Sequence, residues 1–136
     1  MGIYEKYFLP RLLNMAMKSP DFARLRAELI PQAEGNVLEL GIGSGLNLPF
    51  YRKGVHVTGV DPSLELQRYA KDVATECGVD VEFLAQGAES LPFEDHGFDA
   101  AVITWTLCTI GDPLKALEEV RRVLKPGGRL IFAEHG

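Results

Sequence analysis

The sequence predicts a doubly wound, parallel α/β sheet, and three observations carry that prediction. Short apolar runs of strand character alternate with stretches of helical periodicity along most of the chain. The first such run, Val37 to Leu40, leads straight into the turn Gly41-Ile42-Gly43-Ser44-Gly45. A later run, Phe98 to Thr104, is apolar nearly throughout, as in a strand buried on both faces. Strands joined through helices lie parallel, with helices on both sides of the sheet.

Taken in order, residues Ile3 to Lys18 carry Tyr4, Phe8, Leu12 and Met15 at helical spacing, with a kink expected at Pro10. Three roles are open to this segment: a lid over a ligand, a helix packed on the domain edge, or an amphipathic surface touching lipid, the last ranked lowest. Ser19 is the expected N-cap of a second helix running from Pro20 to about Ile30, which Pro31 ends. The first strand and its glycine turn follow. Leu46 to Arg52 is expected to be a short helix, and Val55 to Val60 a second strand. Asp61-Pro62-Ser63 caps the next helix, which presents Leu66, Tyr69, Ala70, Val73 and Cys77 on one face and closes at Gly78. Cys77 is therefore expected in the core. Val81 to Ala85 is the third strand, followed by the loop Gln86 to Phe93. After the fourth strand, Asp112 and Pro113 supply an N-cap and first-turn proline. Leu114, Leu117, Val120, Arg121 and Leu124 then share one side of a helix. Pro126-Gly127-Gly128 is a tight turn into a fifth strand, Arg129 to Glu134.

Composition bounds the function. A chain of 136 residues is one domain, read as a helical segment over 1–34 and an α/β core over 35–136. The net charge of −5 argues against a nucleic-acid backbone as the main partner. Arg121, Arg122, Lys125 and Arg129 are read as cations at a helix C-terminus. Cys77 and Cys108 form neither a disulfide framework nor a metal-ligand spacing, so no metal is expected. No secretory leader is read at the start, and a reducing cytoplasm is the expected location. No apolar run approaches the roughly 20 residues of a membrane span.

Ligands of such sheets bind beyond the carboxyl ends of the strands, where strand order reverses. That rule gathers Gly41 to Gly45, Asp61, Gly87 to Glu89, Thr104 and Glu134-His135 around one crevice. Three alternate glycines let a ligand approach the backbone, and a carboxylate or phosphate is the natural occupant; a tight turn without ligand is the alternative. Asp61, eighteen positions after Gly43, can accept both hydroxyls of a ribose, or serve as a helix N-cap. The spacing is G-x-G-x-G, and Leu46 stands where a dinucleotide loop has its last glycine. This disfavours a pyrophosphate and favours a smaller anionic end such as an amino-acid carboxylate.

These features resemble the class I S-adenosylmethionine-dependent methyltransferases of the small-molecule type. Val37 to Gly45 is similar to that family's first motif, and Val60-Asp61 to its acidic ribose-binding position. Gly87 to Phe93 with Phe98-Asp99 resembles its adenine-side loop and fourth strand, and Leu124 to Leu130 its helix-to-fifth-strand turn. Asn47-Leu48-Pro49-Phe50-Tyr51, Leu107-Cys108-Thr109-Ile110 and Glu134-His135 are similar, more narrowly, to the methyltransferase type 11 branch that includes thiol methyltransferases. The resemblance implies a Rossmann-like sheet of about five strands in the order 3-2-1-4-5, with N-terminal helices. It implies S-adenosylmethionine as cofactor, held by Glu39, Gly41, Ile42, Gly43, Gly45, Asn47, Asp61, Pro62, Gly87, Ala88, Glu89 and Thr104. Gly41, Gly43 and Gly45 would cradle the methionyl end, Glu39 would hold the amino end or else cap the loop amides, and Asp61 would bind the ribose. Ala88 would present its backbone to the adenine, and Thr104 would sit near the sulfonium and the acceptor.

Two departures stand out. The family often has an acidic residue just before Ala88; this chain has Gly87 after Gln86, which leaves adenine recognition to backbone contacts. The family core also continues past the fifth strand. A truncated or minimal version is therefore expected, its fifth strand an open edge that pairs with a second copy, or its acceptor site damaged. The implied reaction is substitution at an activated methyl group, with a small-molecule acceptor such as a thiol held in line. His135 is the nominated base, or else an exposed terminal residue. Cys108 is expected to pack below the acceptor, Trp105 to wall the pocket or fill the core, and His56 and His96 to lie on the surface. An incomplete or non-catalytic cofactor-binding module and a nicotinamide-dependent oxidoreductase are the rival classes.

Overall fold

The computed structural model describes residues 20–134. The expectations for Ile3 to Lys18, the Ser19 cap and His135 lie outside the described residues. Five parallel strands form one sheet in the order β3-β2-β1-β4-β5. They are β1 (Asn36–Leu40), β2 (His56–Val60), β3 (Asp80–Leu84), β4 (Phe98–Thr104) and β5 (Leu124–Ala133). Helix α1 (Pro20–Leu29) precedes the sheet, α2 (Leu64–Cys77) joins β2 to β3, and α3 (Pro113–Val123) joins β4 to β5. The expected fold class and strand order are those observed.

Alternation along the strands builds two cores, one per face. Val37, Val57, Ala100 and Val102 bury one face with Ile30, Leu48, Ala70 and Ala74. Leu38, Leu40, Val60, Ala101 and Ile103 bury the other with Ala116, Val120 and Val123. The central position of β1 brings the ends of β1, β2 and β4 together: Leu40 pairs with Val60 on one side and Ile103 on the other. The strand order reverses there.

Several local expectations are corrected. Leu46 to Arg52 is not a helix; only a single 3-10 turn, Leu48–Phe50, forms. Pro49 lacks an N–H and disfavours the α conformation for the residue before it, which outweighs the apolar pattern. Pro31 does end α1, as expected, by falling in a 3-10 turn, Ile30–Gln32. Pro126-Gly127-Gly128 is an irregularity inside β5, where the register with β4 shifts between Phe98 and Ala100. The buried face of α2 is Gln67, Ala70 and Ala74, while Tyr69 is 52% exposed and Cys77 is also exposed. Cys77 is the last helical residue and Gly78 turns the chain in the left-handed conformation, so the thiol clears the sheet. On α3 the buried face is Ala116, Val120 and Val123, and Leu114 is 67% exposed. Small residues let both helices approach the sheet closely, and the larger apolar side chains fall to the flanks.

The remaining polar expectations resolve locally. Asp112 does cap α3, accepting from Lys115 N. Arg122 is bound to Glu119, to Asp95 and to the carbonyls of Leu91 and Phe93, which staples the loop before β4 to α3. Lys125 pairs with Asp99 at 2.9 Å. His56 is half-buried, not a free surface residue: it meets its register partner Asp80 at 2.7 Å. His96 is exposed. Among the described residues no helix is long and apolar enough to cross a membrane.

Candidate functional site

A cleft of about 800 Å³ opens at the carboxyl edge of the sheet, above the reversal point. It is lined by Glu39, Gly41, Ile42, Gly43, Asn47, Asp61, Pro62, Gly87, Ala88, Glu89 and Thr104, among others. Every cofactor position nominated from the sequence is in this set except Gly45. A Cβ on Gly45, at φ +83°, would stand 2.9 Å from Leu48 Cδ1 and 3.0 Å from Ala70 Cα. Gly45 lets the loop pack against α2. Gly43, at φ +54°, is the open member: a Cβ there would meet nothing nearer than 3.9 Å.

The loop is tied to β2 by backbone bonds from Gly41 N and Ile42 N to the Val60 carbonyl, at 2.7 and 3.3 Å. Asp61, the next residue, completes the junction. Its Oδ2 accepts from Gly43 N at 3.0 Å and its Oδ1 from Ser63 N at 2.8 Å. Ser63, not Asp61, caps α2, accepting from Leu66 N. Burial raises the Asp61 pKa, and the two N–H donors hold that rise in check.

The floor of the cleft is a buried polar network centred on Glu39, which is 1% exposed. Tyr51 donates its hydroxyl to Oε1 at 2.7 Å, and Asn47 donates from Nδ2 to Oε2 at 3.1 Å. Glu39 thus does not cap the loop amides. Burial pushes its pKa up to about 7; the Tyr51 and Asn47 bonds and the Arg26 charge oppose the rise, and the Asp61 charge adds to it. Asn47 also donates to Thr104 Oγ1 at 2.9 Å and accepts from Arg26 Nε at 3.0 Å. Burial lowers the Arg26 pKa. The guanidinium carbon lies 5.0 Å from the centre of the Trp105 ring, and Phe22 meets that ring edge-on at 4.5 Å.

Trp105 both walls the cleft and is buried. Its φ of +48° is a costly conformation for a bulky residue. It is held by its own N–H to the Ala133 carbonyl at 2.7 Å, and by Glu134 Oε1, which accepts from Thr106 N and Leu107 N. Glu134 is thereby an anchor of the cleft wall without lining the cleft. Cys108 is exposed and lines the cleft, so it does not pack beneath it. Gln86 donates to the Ser90 and Gly87 carbonyls and so shapes the loop that presents Ala88. Sequence reasoning missed Arg26, Tyr51 and Thr106. An arginine on an N-terminal helix reads as surface; its partners, Asn47 21 residues on and the Trp105 ring, mark it otherwise.

The strand order, the glycine loop at the reversal point and the acid ending β2 are those of the class I S-adenosylmethionine-dependent methyltransferase fold. The chain belongs to the methyltransferase domain family, whose profile matches residues 38–132. It is 36% identical over 143 aligned positions to thiol S-methyltransferase TMT1B of Mus musculus, covering 97% of this chain and 58% of that protein. It is 42% identical over 99 residues to demethylmenaquinone methyltransferase of Paenarthrobacter aurescens, covering 72% of this chain and 38% of that one. The crystal structure of a SAM-dependent methyltransferase from Aquifex aeolicus superposes with a TM-score of 0.72 at 26% identity, over 92% of this chain and 72% of its own. The chain spans about half the length of the curated relatives it matches. Membership sets aside the nicotinamide-dependent class and makes S-adenosylmethionine the cofactor.

Proposed function

We propose that this chain transfers the methyl group of S-adenosylmethionine to a small-molecule thiol. The observation that carries the reading is one cleft that presents a buried carboxylate, an open glycine backbone and a second carboxylate in sequence along its wall. These donors and acceptors fit the cofactor. Glu39 would take the amino end, Gly41 and Gly43 the methionyl backbone, and Asp61 the ribose hydroxyls. Pro62, Ile42 and the Gly87-Ala88-Glu89 backbone would enclose the adenosyl part, with Asn47 and Thr104 beneath the sulfur. When bound, the cofactor supplies an activated methyl group and a neutral sulfide leaving group.

The chain's own part is placement and exclusion of water. Trp105, Cys108, Thr109 and Ile110 form the wall where an acceptor would lie. A thiol suits a wall with few ionisable groups because, with a free pKa of about 8.5, it needs less help to ionise than a phenol or an ammonium group. His135 stays in the proposal as the proton acceptor for acceptors that arrive protonated. The thiol class is further supported by the likeness to TMT1B, which spans 97% of this chain.

A cytoplasmic setting belongs to the same proposal: Cys77 and Cys108 are both free and exposed, which suits a reducing compartment. Self-association through β5 belongs to it too: Leu130 and Phe132, on one face of that strand, are 40% and 58% exposed. We assign no nucleic-acid role to a chain of net charge −5 in which Arg122 and Lys125 are ion-paired. Incubation with S-adenosylmethionine and a panel of alkyl thiols, phenols and amines, read by mass spectrometry, tests the function. S-methylation is expected; methylation confined to phenols or amines overturns the thiol assignment. Tight cofactor binding with no turnover on any acceptor would instead mark a non-catalytic module.

A further inference from the structure

Tyr51 does not line the cleft, yet its hydroxyl reaches the cleft floor from within the core. It donates to one oxygen of Glu39 at 2.7 Å while Asn47 donates to the other at 3.1 Å. One donor on each oxygen fixes the rotation of the carboxylate and leaves its remaining lone pairs to face the cleft. The orientation of the Asn47 amide is itself determined. Its oxygen accepts from Arg26 Nε, and its nitrogen serves Glu39 and Thr104. Reversing it would set N–H against N–H at Arg26 and oxygen against oxygen at Glu39.

We propose that Tyr51 and Asn47 are positioning residues for Glu39, which hold its carboxylate at the cleft floor to receive the cationic end of the ligand. This rests on the reading of the cleft as an S-adenosylmethionine site. Both residues are donors, so both favour the ionised carboxylate. Among the described residues, the charged groups facing Glu39 are Arg26 from α1, which favours the ionised form, and Asp61 after β2, which opposes it. Desolvation nonetheless brings the Glu39 pKa up to about 7, so near neutrality the floor is shared between acid and carboxylate. Arrival of an ammonium group completes the ionisation. The Glu39 O–H bond breaks, its proton leaves to solvent, and an ammonium–carboxylate pair forms.

S-adenosylhomocysteine, titrated calorimetrically into the intact chain between pH 5.5 and 8, tests this. In two buffers of different ionisation enthalpy, the wild type should release about one proton per ligand below the Glu39 pKa. Its affinity should rise with pH along a limb centred near 7. Tyr51→Phe keeps the ring and removes one donor to a charged group, so the limb should move upward by about 1–2 pH units. Glu39→Gln should abolish the limb, and adding Tyr51→Phe to it should change affinity no further. An unmoved limb in Tyr51→Phe overturns the proposal, as does an equal loss of affinity at every pH, which marks a merely structural role. Binding by the wild type without proton release overturns it independently of any variant. No binding at any pH overturns the parent reading, and the proposal with it.

Discussion

Replacing Asp61 by asparagine separates ligand binding from folding. The Asp61 carboxylate accepts Gly43 N at 3.0 Å and Ser63 N at 2.8 Å, so each oxygen already serves the fold. In the proposed complex the same oxygens would also accept the ribose hydroxyls. The side-chain amide of the Asp61→Asn variant keeps one acceptor and turns its nitrogen toward a donor, which removes one hydrogen bond to a charged group from the complex. Such a bond contributes about 1.5–3 kcal/mol, so affinity for S-adenosylhomocysteine should fall about 10- to 150-fold. Stability should fall by less than binding. The fold loses one backbone-to-carboxylate bond and sets the amide NH2 against a backbone N–H, a cost that relief of the desolvated charge offsets only in part. Calorimetric binding at pH 7.5 and thermal melting of the free variant measure the two effects. Wild-type affinity in D61N removes Asp61 from the site. A collapsed Tm with proportionate loss of binding assigns it to holding the loop alone.

Three further outcomes follow from the same structure. The Glu39 pKa rises from 4.5 to about 7, and a folded-state value above the unfolded one means stability is lost as pH climbs through that window. At about 1.4 kcal/mol per pH unit the wild type should lose ~3 kcal/mol between pH 4.5 and 7 from this group. Subtracting the E39Q urea-denaturation profile isolates this change, and identical profiles would remove the buried charge from the account. Gly45→Ala should destabilise by about 2–3 kcal/mol, since a side chain at φ +83° is strained and would press on Leu48 and Ala70; a midpoint in urea within error of the wild type contradicts this packing role. Self-association through β5 predicts a concentration-dependent sedimentation coefficient that Phe132→Lys abolishes, and a wild type that stays monomeric disposes of that interface.

The sheet was legible because its strands are nearly continuous apolar runs and its turns carry their own punctuation. Phe98 to Thr104 needed no context to be read as a buried strand, and Gly41 to Gly45 with Asp61 located the reversal point. The helix faces were less legible. Hydrophobic periodicity selects Tyr69 and Leu114 along with Ala70 and Val120, whereas close approach to the sheet keeps Ala70 and Val120, adds Ala74 and Ala116, and leaves the two larger side chains exposed. The segment after the glycine loop misled for a different reason. Its apolar residues fit a helical pattern, but Pro49 limits it to one 3-10 turn. The cleft rim was readable from motif spacing, since all its nominated residues but Gly45 line it. Its floor was legible only in part: Glu39 and Asn47 stand among the nominated residues, whereas Arg26 and the role of Tyr51 emerge only when folding joins all four in one network.

The central claim is that the cleft above β1, β2 and β4 binds S-adenosylmethionine. Calorimetric titration of the intact chain with S-adenosylhomocysteine, and separately with NAD, tests it most directly. The account predicts one molecule of S-adenosylhomocysteine per chain, weakened by D61N, and no heat of binding from NAD. Binding of NAD in preference, or S-adenosylhomocysteine binding that D61N and E39Q both leave untouched, would contradict it.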